Sequence, residues 1–570
     1  MIGTQVETGR GPLAVLLLIT AGVMAPALWG EFVYDDISLV VQNPRVHSLT
    51  GALFEPLWGS ESAYWRPLTG VLMAISLITG GAMALHSMAL AAHLLAVCFA
   101  FGLARYLTKS VAAGLFTATF FALHPVQVES VAWGSAIQDP LVGMFVLWCL
   151  YATARWREAG SQGTPTMVIL AFAGALASKE TGIIALPAAF LLDRLLLQTT
   201  ARASRQLLLM LGSILAIYIL ARVLVFEAVS AGFERSQPDP SYAGDRLITA
   251  PIEILGTFAQ LLVLPWPLLP FRDIATETSA SAFFTMAVWL MLPISILIWA
   301  WRRKHQVAVF GLGVALLAVL IPALRFHTIG SSPIADRYLY LAVFGFALAL
   351  MPLIPSRATT TITLLLGVIF AGLDCIQIPV WRTQQQLIEH GLRLRPLSAK
   401  LLNMQGNNLL RSYQTHAKAS DLQAAERSFL DSITNSRSAS NEDRSTWRGS
   451  REESNLGLAW CELLKPQVGS KSDYSRAIAK FKACTTAAGA PADAWVGLGI
   501  AYGSSGQLSM AEKALTKAVA MAPTNDRAQY NLGFLYTQTQ RPDQAIVHLK
   551  AALRLQPQNQ AAADLLKQLR

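Results

Sequence analysis

The chain has 570 residues, too many for one ordinary domain. It is 53% hydrophobic and 14% charged, with a mean hydropathy of +0.43, which excludes a wholly water-soluble protein and indicates a polytopic membrane protein. The net charge of +10 is not a nucleic-acid signal, because no basic stripe with interleaved aromatics accompanies it; the excess reads as Arg and Lys gathered in cytoplasmic loops.

Read in chain order, segments of membrane-crossing length fall near 11–29, 85–105, 110–124, 139–155, 165–179, 181–198, 206–226, 282–301, 307–325, 338–354 and 358–376. The first run, Leu13 to Trp29, has the look of a signal peptide, but the many apolar segments behind it favour an uncleaved first span. Basic residues mark alternate loops: Arg105 and Lys109, Arg155 and Arg157, Arg194, Arg202 and Arg205, Arg302 to Lys304, and Arg357. Taking that side as cytoplasm places the amino terminus inside and everything after 376 outside. The prolines of 250–271 favour an outer re-entrant or interfacial segment there, and 67–81 is read the same way.

Ionisable groups are costly at membrane depth, so those at span ends are functional candidates. On this topology they share the outer side. Tyr34-Asp35-Asp36 follows the first span, and a carboxylate there can act as general base, although a solvated loop tolerates such a pair without function. His124, stopped by Pro125, and Glu129 end the third span; the bland reading is a helix-end histidine satisfied by a carbonyl. Lys179-Glu180 sits between two spans and either caps a turn or offers a point charge to a lipid phosphate. Arg337 can hold phosphate through its guanidinium fork or pair with Asp336 to order the loop. Arg222, inside a span with no obvious local partner, is a third phosphate candidate. His86 and His93 share one helical face and read as packing or interhelical hydrogen bonds. Five cysteines show no metal spacing; Cys98 and Cys149 lie in spans, and Cys461 and Cys484 could pair in an oxidising compartment.

The last third is soluble in character and periodic. Residues 491–523 carry Trp495, Leu498, Gly499, Tyr502, Gly506, Ala511, Leu515, Ala518 and Pro523, and 34 residues later, in 525–557, come Leu532, Gly533, Tyr536, Ala545, Leu549, Ala552 and Pro557. This is the tetratricopeptide pattern, in which small and aromatic residues interlock two antiparallel helices. Degenerate units stand at Leu456, Gly457, Trp460, Ala477 and Phe481, and at Ala425 and Phe429; 434–453 reads as a mobile linker and 560–570 as a capping helix. Such arrays present a concave surface to peptides or partners, or serve as spacers. The fold expected is all-α: a transmembrane bundle of about eleven spans in 1–380, then a soluble α-solenoid in 381–570.

In this order the segments resemble the transmembrane and tetratricopeptide-repeat O-mannosyltransferases of the GT-C glycosyltransferase superfamily. The resemblance rests on Phe32-Val33-Tyr34-Asp35-Asp36 with Asn43-Pro44, Trp65-Arg66-Pro67-Leu68, His86 and His93, Phe121 to Pro125 with Glu129, Lys179-Glu180-Thr181-Gly182, and Asp336-Arg337-Tyr338-Leu339-Tyr340. It implies a polyprenyl-phosphate sugar donor, an extracytoplasmic first loop carrying the catalytic acid, and a protein hydroxyl acceptor. Carried over, Asp35 is the general base with Asp36 in support. Lys179 and Arg337 neutralise the leaving phosphate, with Arg222 the further phosphate candidate named above, and Tyr34, Arg66, His124, Glu129, Glu180 and Asp336 support the substrates. No cofactor is implied, and a divalent metal finds no Asp-x-Asp or Glu-x-Glu motif here. The repeat array is short and no Asn-x-Ser/Thr sequon follows residue 376, both of which fit a bacterial homologue with an undecaprenyl-type donor and a periplasmic site. A eukaryotic chain would instead have its site in the ER lumen. The rival expectations are the same chemistry on a glycolipid or polysaccharide, and a non-catalytic membrane scaffold whose repeats recruit partners.

Overall fold

The computed structural model of the chain describes residues 2–57, 64–161, 165–226, 246–272, 280–326, 334–438, 444–465, 474–487, 490–556 and 558–569. They form helices joined by short turns, with one isolated β-bridge between Arg272 and Ile334. The chain divides into two compact units, Met1–Gly391 and Leu392–Arg570, each with its own apolar core. The boundary revises the reading of the charge. The first unit holds 22 Lys and Arg against 21 Asp and Glu, and the second 23 against 14, so nine of the ten excess charges lie in the solenoid and not in cytoplasmic loops.

Among the described residues of the first unit, eight helices are long and apolar enough to cross a membrane: Gly9–Trp29, Gly81–Thr108, Gly134–Glu158, Ala201–Val225, Phe283–Arg302, Gln306–Leu324, Asp336–Leu353 and Ser356–Trp381. The shorter apolar helices are Pro67–Thr79, Val111–Leu123, Thr166–Ser178 and Ile248–Val263. The segment read as a span at 181–198 is broken into a 3-10 turn (Glu180–Ile184), a short helix (Ala185–Leu191) and a π-helical turn (Leu192–Leu196). Small residues let these helices approach closely, as they do where lipid supplies no hydrophobic drive for helix association. Helices Gln306–Leu324 and Tyr340–Leu350 cross at Gly311 and Gly345; a Cβ built on Gly311 would sit 2.5 Å from the Gly345 carbonyl oxygen. Gly81–Thr108 buries Ala89, Ala92, Ala96, Ala100 and Ala104 and packs on both Val111–Leu123 and Gln138–Glu158.

The second unit is a run of helix pairs: Ala399–His416 with Ala419–Ser438, Arg444–Leu464 with Ser475–Thr486, Ala492–Ser504 with Leu508–Met521, and Asp526–Gln538 with Pro542–Leu555, closed by Gln560–Gln568. One knob-in-hole device recurs. Phe429 fills the space over Gly406 and Gly457, Phe481 that over Gly497, Leu515 that over Gly499, and Leu549 that over Gly533. The faint repeat at Ala425 and Phe429 is thus a full helix pair. The expected linker over 434–453 is corrected: helices occupy it on both sides of 439–443, which lie outside the described residues. Cys461 and Cys484 are free thiols.

Candidate active site

The site begins with a strained turn. Tyr34 has φ +52°, a left-handed conformation that non-glycine residues adopt only when their surroundings hold them there. Its N–H donates to Gln384 Oε1 at 2.7 Å, and its ring packs between Trp133 (5.8 Å) and Phe271 (4.7 Å). The turn sends its two aspartates to different environments. Asp35 is half-buried, whereas Asp36 is fully buried. The Asp36 carboxylate accepts from the Val33 N–H (3.0 Å), the Ser135 N–H (2.6 Å) and the Ser135 hydroxyl. Burial lifts its carboxyl to about 7, against those three hydrogen bonds, which favour the ionised form. Asp36 therefore pins the first loop to the start of the Gly134–Glu158 span, while Asp35 stays partly exposed.

Trp133 connects this loop to a buried set of charges. The Arg337 guanidinium lies over its ring at 4.9 Å and over the Tyr338 ring at the same distance. Arg337 pairs with Glu129, which also accepts from the Arg337 N–H at 3.2 Å. Burial pushes the Glu129 carboxyl up, opposed by the pull of Arg337. Lys179 pairs with Asp139 and stands 5.5 Å from the Tyr338 ring centroid. Arg66 is buried between Glu180 (2.7 Å) and Gln138, with Tyr64 beneath it at 4.4 Å. Arg222 reaches the other oxygen of Glu180 at 3.7 Å. Lys179, Arg337, Asp139, Tyr338 and Tyr340 line one cleft, whose apolar wall includes Val142, Val146 and Ala318.

Helix ends build this cluster, and the backbone shows why. Lys179 is the residue at which Thr166–Ser178 stops, and the chain turns back at once through Gly182. A Cβ at Gly182 would lie 2.3 Å from the Ala175 carbonyl oxygen, so only glycine fits the turn that presents Lys179 and Glu180. Gly143 similarly gives room to Tyr340, whose hydroxyl is 2.7 Å from His93 Nδ1.

Most of the residues singled out from sequence therefore converge: Tyr34, Asp36, Arg66, Glu129, Lys179, Glu180, Arg222, Asp336 and Arg337 are joined by contacts through Trp133, Ser135, Gln138, Asp139 and Arg272. Two pairings differ from expectation, and His124 follows its bland reading. Asp336 bonds Arg272 (3.2 Å), not its neighbour Arg337. Arg222 has a partner, Glu180. His124 stands apart: its Nε2 is 3.2 Å from the Leu262 carbonyl oxygen, and its ring packs on Phe120 and Phe370, which ties the 246–263 helix to the bundle. Asp139 and Arg272 escaped the sequence reading because each adjoins an apolar run. The signal was there in Gln138-Asp139-Pro140, a polar pair at the mouth of a span. Among the described residues, no group of three or more His, Cys, Asp or Glu is placed to hold a metal ion.

Comparison with known proteins agrees with the motifs. A Tetratricopeptide repeat family model matches residues 504–569. Protein O-mannosyl-transferase F38B6.6 of Caenorhabditis elegans is 25% identical over 439 residues, 69% of this chain and 60% of that protein. Protein O-mannosyl-transferase TMTC4 of Homo sapiens is 24% identical, covering 67% of this chain and 61% of its own. Protein O-mannosyl-transferase Tmtc1 of Drosophila melanogaster is 28% identical over 288 residues, 47% of this chain and 31% of its own. The chain thus spans about 60% of the length of the first two of these relatives. With its apolar helices, this makes the chain an integral membrane relative of proteins named as O-mannosyl-transferases, with a tetratricopeptide-repeat unit.

Proposed function

We propose that the chain is a membrane glycosyltransferase that moves a sugar, mannose being the first candidate, from a polyprenyl phosphate to Ser or Thr hydroxyls of exported proteins. The observation that carries this reading is the convergence of the Tyr34-Asp35-Asp36 turn with buried cations at the ends of apolar helices. In the reaction Asp35 takes the proton of the acceptor hydroxyl as its oxygen attacks the anomeric carbon, with inversion. The bond from that carbon to the phosphate oxygen breaks, and the bonding pair leaves on the phosphate. Lys179 and Arg337 lie where that oxygen gains charge, and fixed cations in a dry site stabilise it strongly. Arg66 and Arg222, held by Glu180, extend the positive surface.

The site faces away from the cytoplasm, and the repeats present the acceptor on their concave side. In a bacterial inner membrane the carrier is of the undecaprenyl type. The test is glycopeptide mass spectrometry on exported proteins from cells carrying wild type, Asp35→Asn, Asp36→Asn or no copy. Hexose on Ser/Thr peptides, lost in the null and in Asp35→Asn, is expected; identical glycopeptides in all strains would overturn the protein-acceptor reading.

A further inference from the structure

The solenoid holds nearly all of the chain's excess positive charge, and that charge is not spread evenly. The first helices of successive pairs pack on one another, while the second helices are not paired with each other in this way; in arrays of this kind the second helices form the outer, convex side. Three of these outer helices, Ser475–Thr486, Leu508–Met521 and Pro542–Leu555, expose Lys480, Lys482, Lys513, Lys517, Lys550 and Arg554. The acids on the same helices are Glu512, which is bound to Arg541 at 2.8 Å, and Asp543.

The pattern on each helix is more telling than the count. Met510, Lys513, Lys517 and Met521 follow one stripe at helical spacing, and so do Val547, Lys550 and Arg554. Met510 is 40% exposed, Met521 44% and Val547 63%. Lys482 and Lys550 occupy the same register two 34-residue repeats apart. Cations interleaved with exposed apolar side chains on a broad convex face suit a lipid surface, whose headgroups are anionic above a hydrocarbon edge. An acidic peptide would seek a groove rather than an open helix face. The first unit also holds the solenoid at the membrane, so even weak attraction acts at high effective concentration.

We propose that this outer face of the solenoid rests on anionic phospholipid headgroups of the membrane in which the first unit is embedded. The inference is independent of the glycosyltransferase reading. It is tested on the full chain in nanodiscs of phosphatidylcholine alone or with phosphatidylglycerol, by acylating lysines and reading each site by mass spectrometry. At roughly 0.05 M salt, phosphatidylglycerol should cut labelling of Lys482, Lys513, Lys517 and Lys550 by about threefold or more, and roughly 0.5 M salt should restore it. Lys567, exposed on the last helix and outside these three, should label equally throughout. In a Lys513→Glu, Lys517→Glu, Lys550→Glu variant, Lys482 should lose its protection while hydrogen exchange within the repeats stays unchanged. Equal labelling in both nanodiscs overturns the proposal. Protection that appears only on adding an acidic exported protein also overturns it, in favour of a protein partner.

Discussion

The Lys179–Asp139 pair allows structural and catalytic roles to be separated. Both side chains are nearly buried, at 8% and 6% exposure; Lys179 bonds Asp139 Oδ1, and Asp139 Oδ2 has no hydrogen-bond partner. Breaking a buried pair by removing one member costs about 3–5 kcal/mol, because the survivor stays charged and dry. The two single changes should differ within that range. In Lys179→Met, Asp139 still feels Arg66 and Arg337, so the loss should sit near the lower end. In Asp139→Asn, Lys179 is left among those same like charges, and the loss should sit near the upper end. The double variant removes both charges and should regain most of the stability, read by denaturant or thermal unfolding in detergent. Sugar transfer should behave otherwise. If Lys179 steadies the leaving phosphate, Lys179→Met lowers kcat by about 10²–10³, and the double variant stays as slow. Recovery of transfer together with stability in the double variant would refute the phosphate role and reduce Lys179 to a structural partner.

Four further outcomes follow from the geometry. Asp36→Ala strands the Val33 and Ser135 donors, each at about 1–3 kcal/mol, and should unfold well before wild type. The Asp36 carboxyl titrates near 7 when folded against 3.8 ordinarily, so the folded state binds more protons between those values; its contribution to stability falls as pH rises through that window, a slope that Asp36→Asn should lack. Gly182→Ala drives a Cβ into the Ala175 carbonyl and should abolish transfer by displacing Lys179 and Glu180, with the loss tracked by transfer assay beside unfolding. Phe481→Ala empties a fully buried site and should cost about 3–5 kcal/mol, seen as faster hydrogen exchange in the repeats while exchange in the first unit is unchanged.

What the sequence made legible was whatever follows a local rule. Apolar run length gave the helices of the first unit, and the 34-residue period gave the repeats, because Gly499 with Leu515 and Gly533 with Leu549 are one contact written twice. Pairing partners were legible only by neighbourhood, which misled: Asp336 and Arg337 adjoin in sequence, yet a 3-10 turn sends them to Arg272 and Glu129. The different fates of Asp35 and Asp36 depend on Ser135, 99 residues downstream of Asp36, which no local pattern announces. The polar stretch 434–453 looked disordered by composition, but Phe429 and Gly457 lock together on either side of it, and the helices extend into it from both ends. Net charge read over the whole chain was attributed to its loops, when it belongs to the solenoid.

The most direct test of the central claim is transfer by the purified chain in lipid nanodiscs, with labelled polyprenyl-phosphate mannose as donor and a Ser/Thr-containing segment of an exported protein as acceptor. The account predicts donor-dependent labelling of the hydroxyl, reduced by about 10²-fold or more in Asp35→Asn, while that variant unfolds at the wild-type temperature. Labelling by Asp35→Asn at the wild-type rate would contradict it.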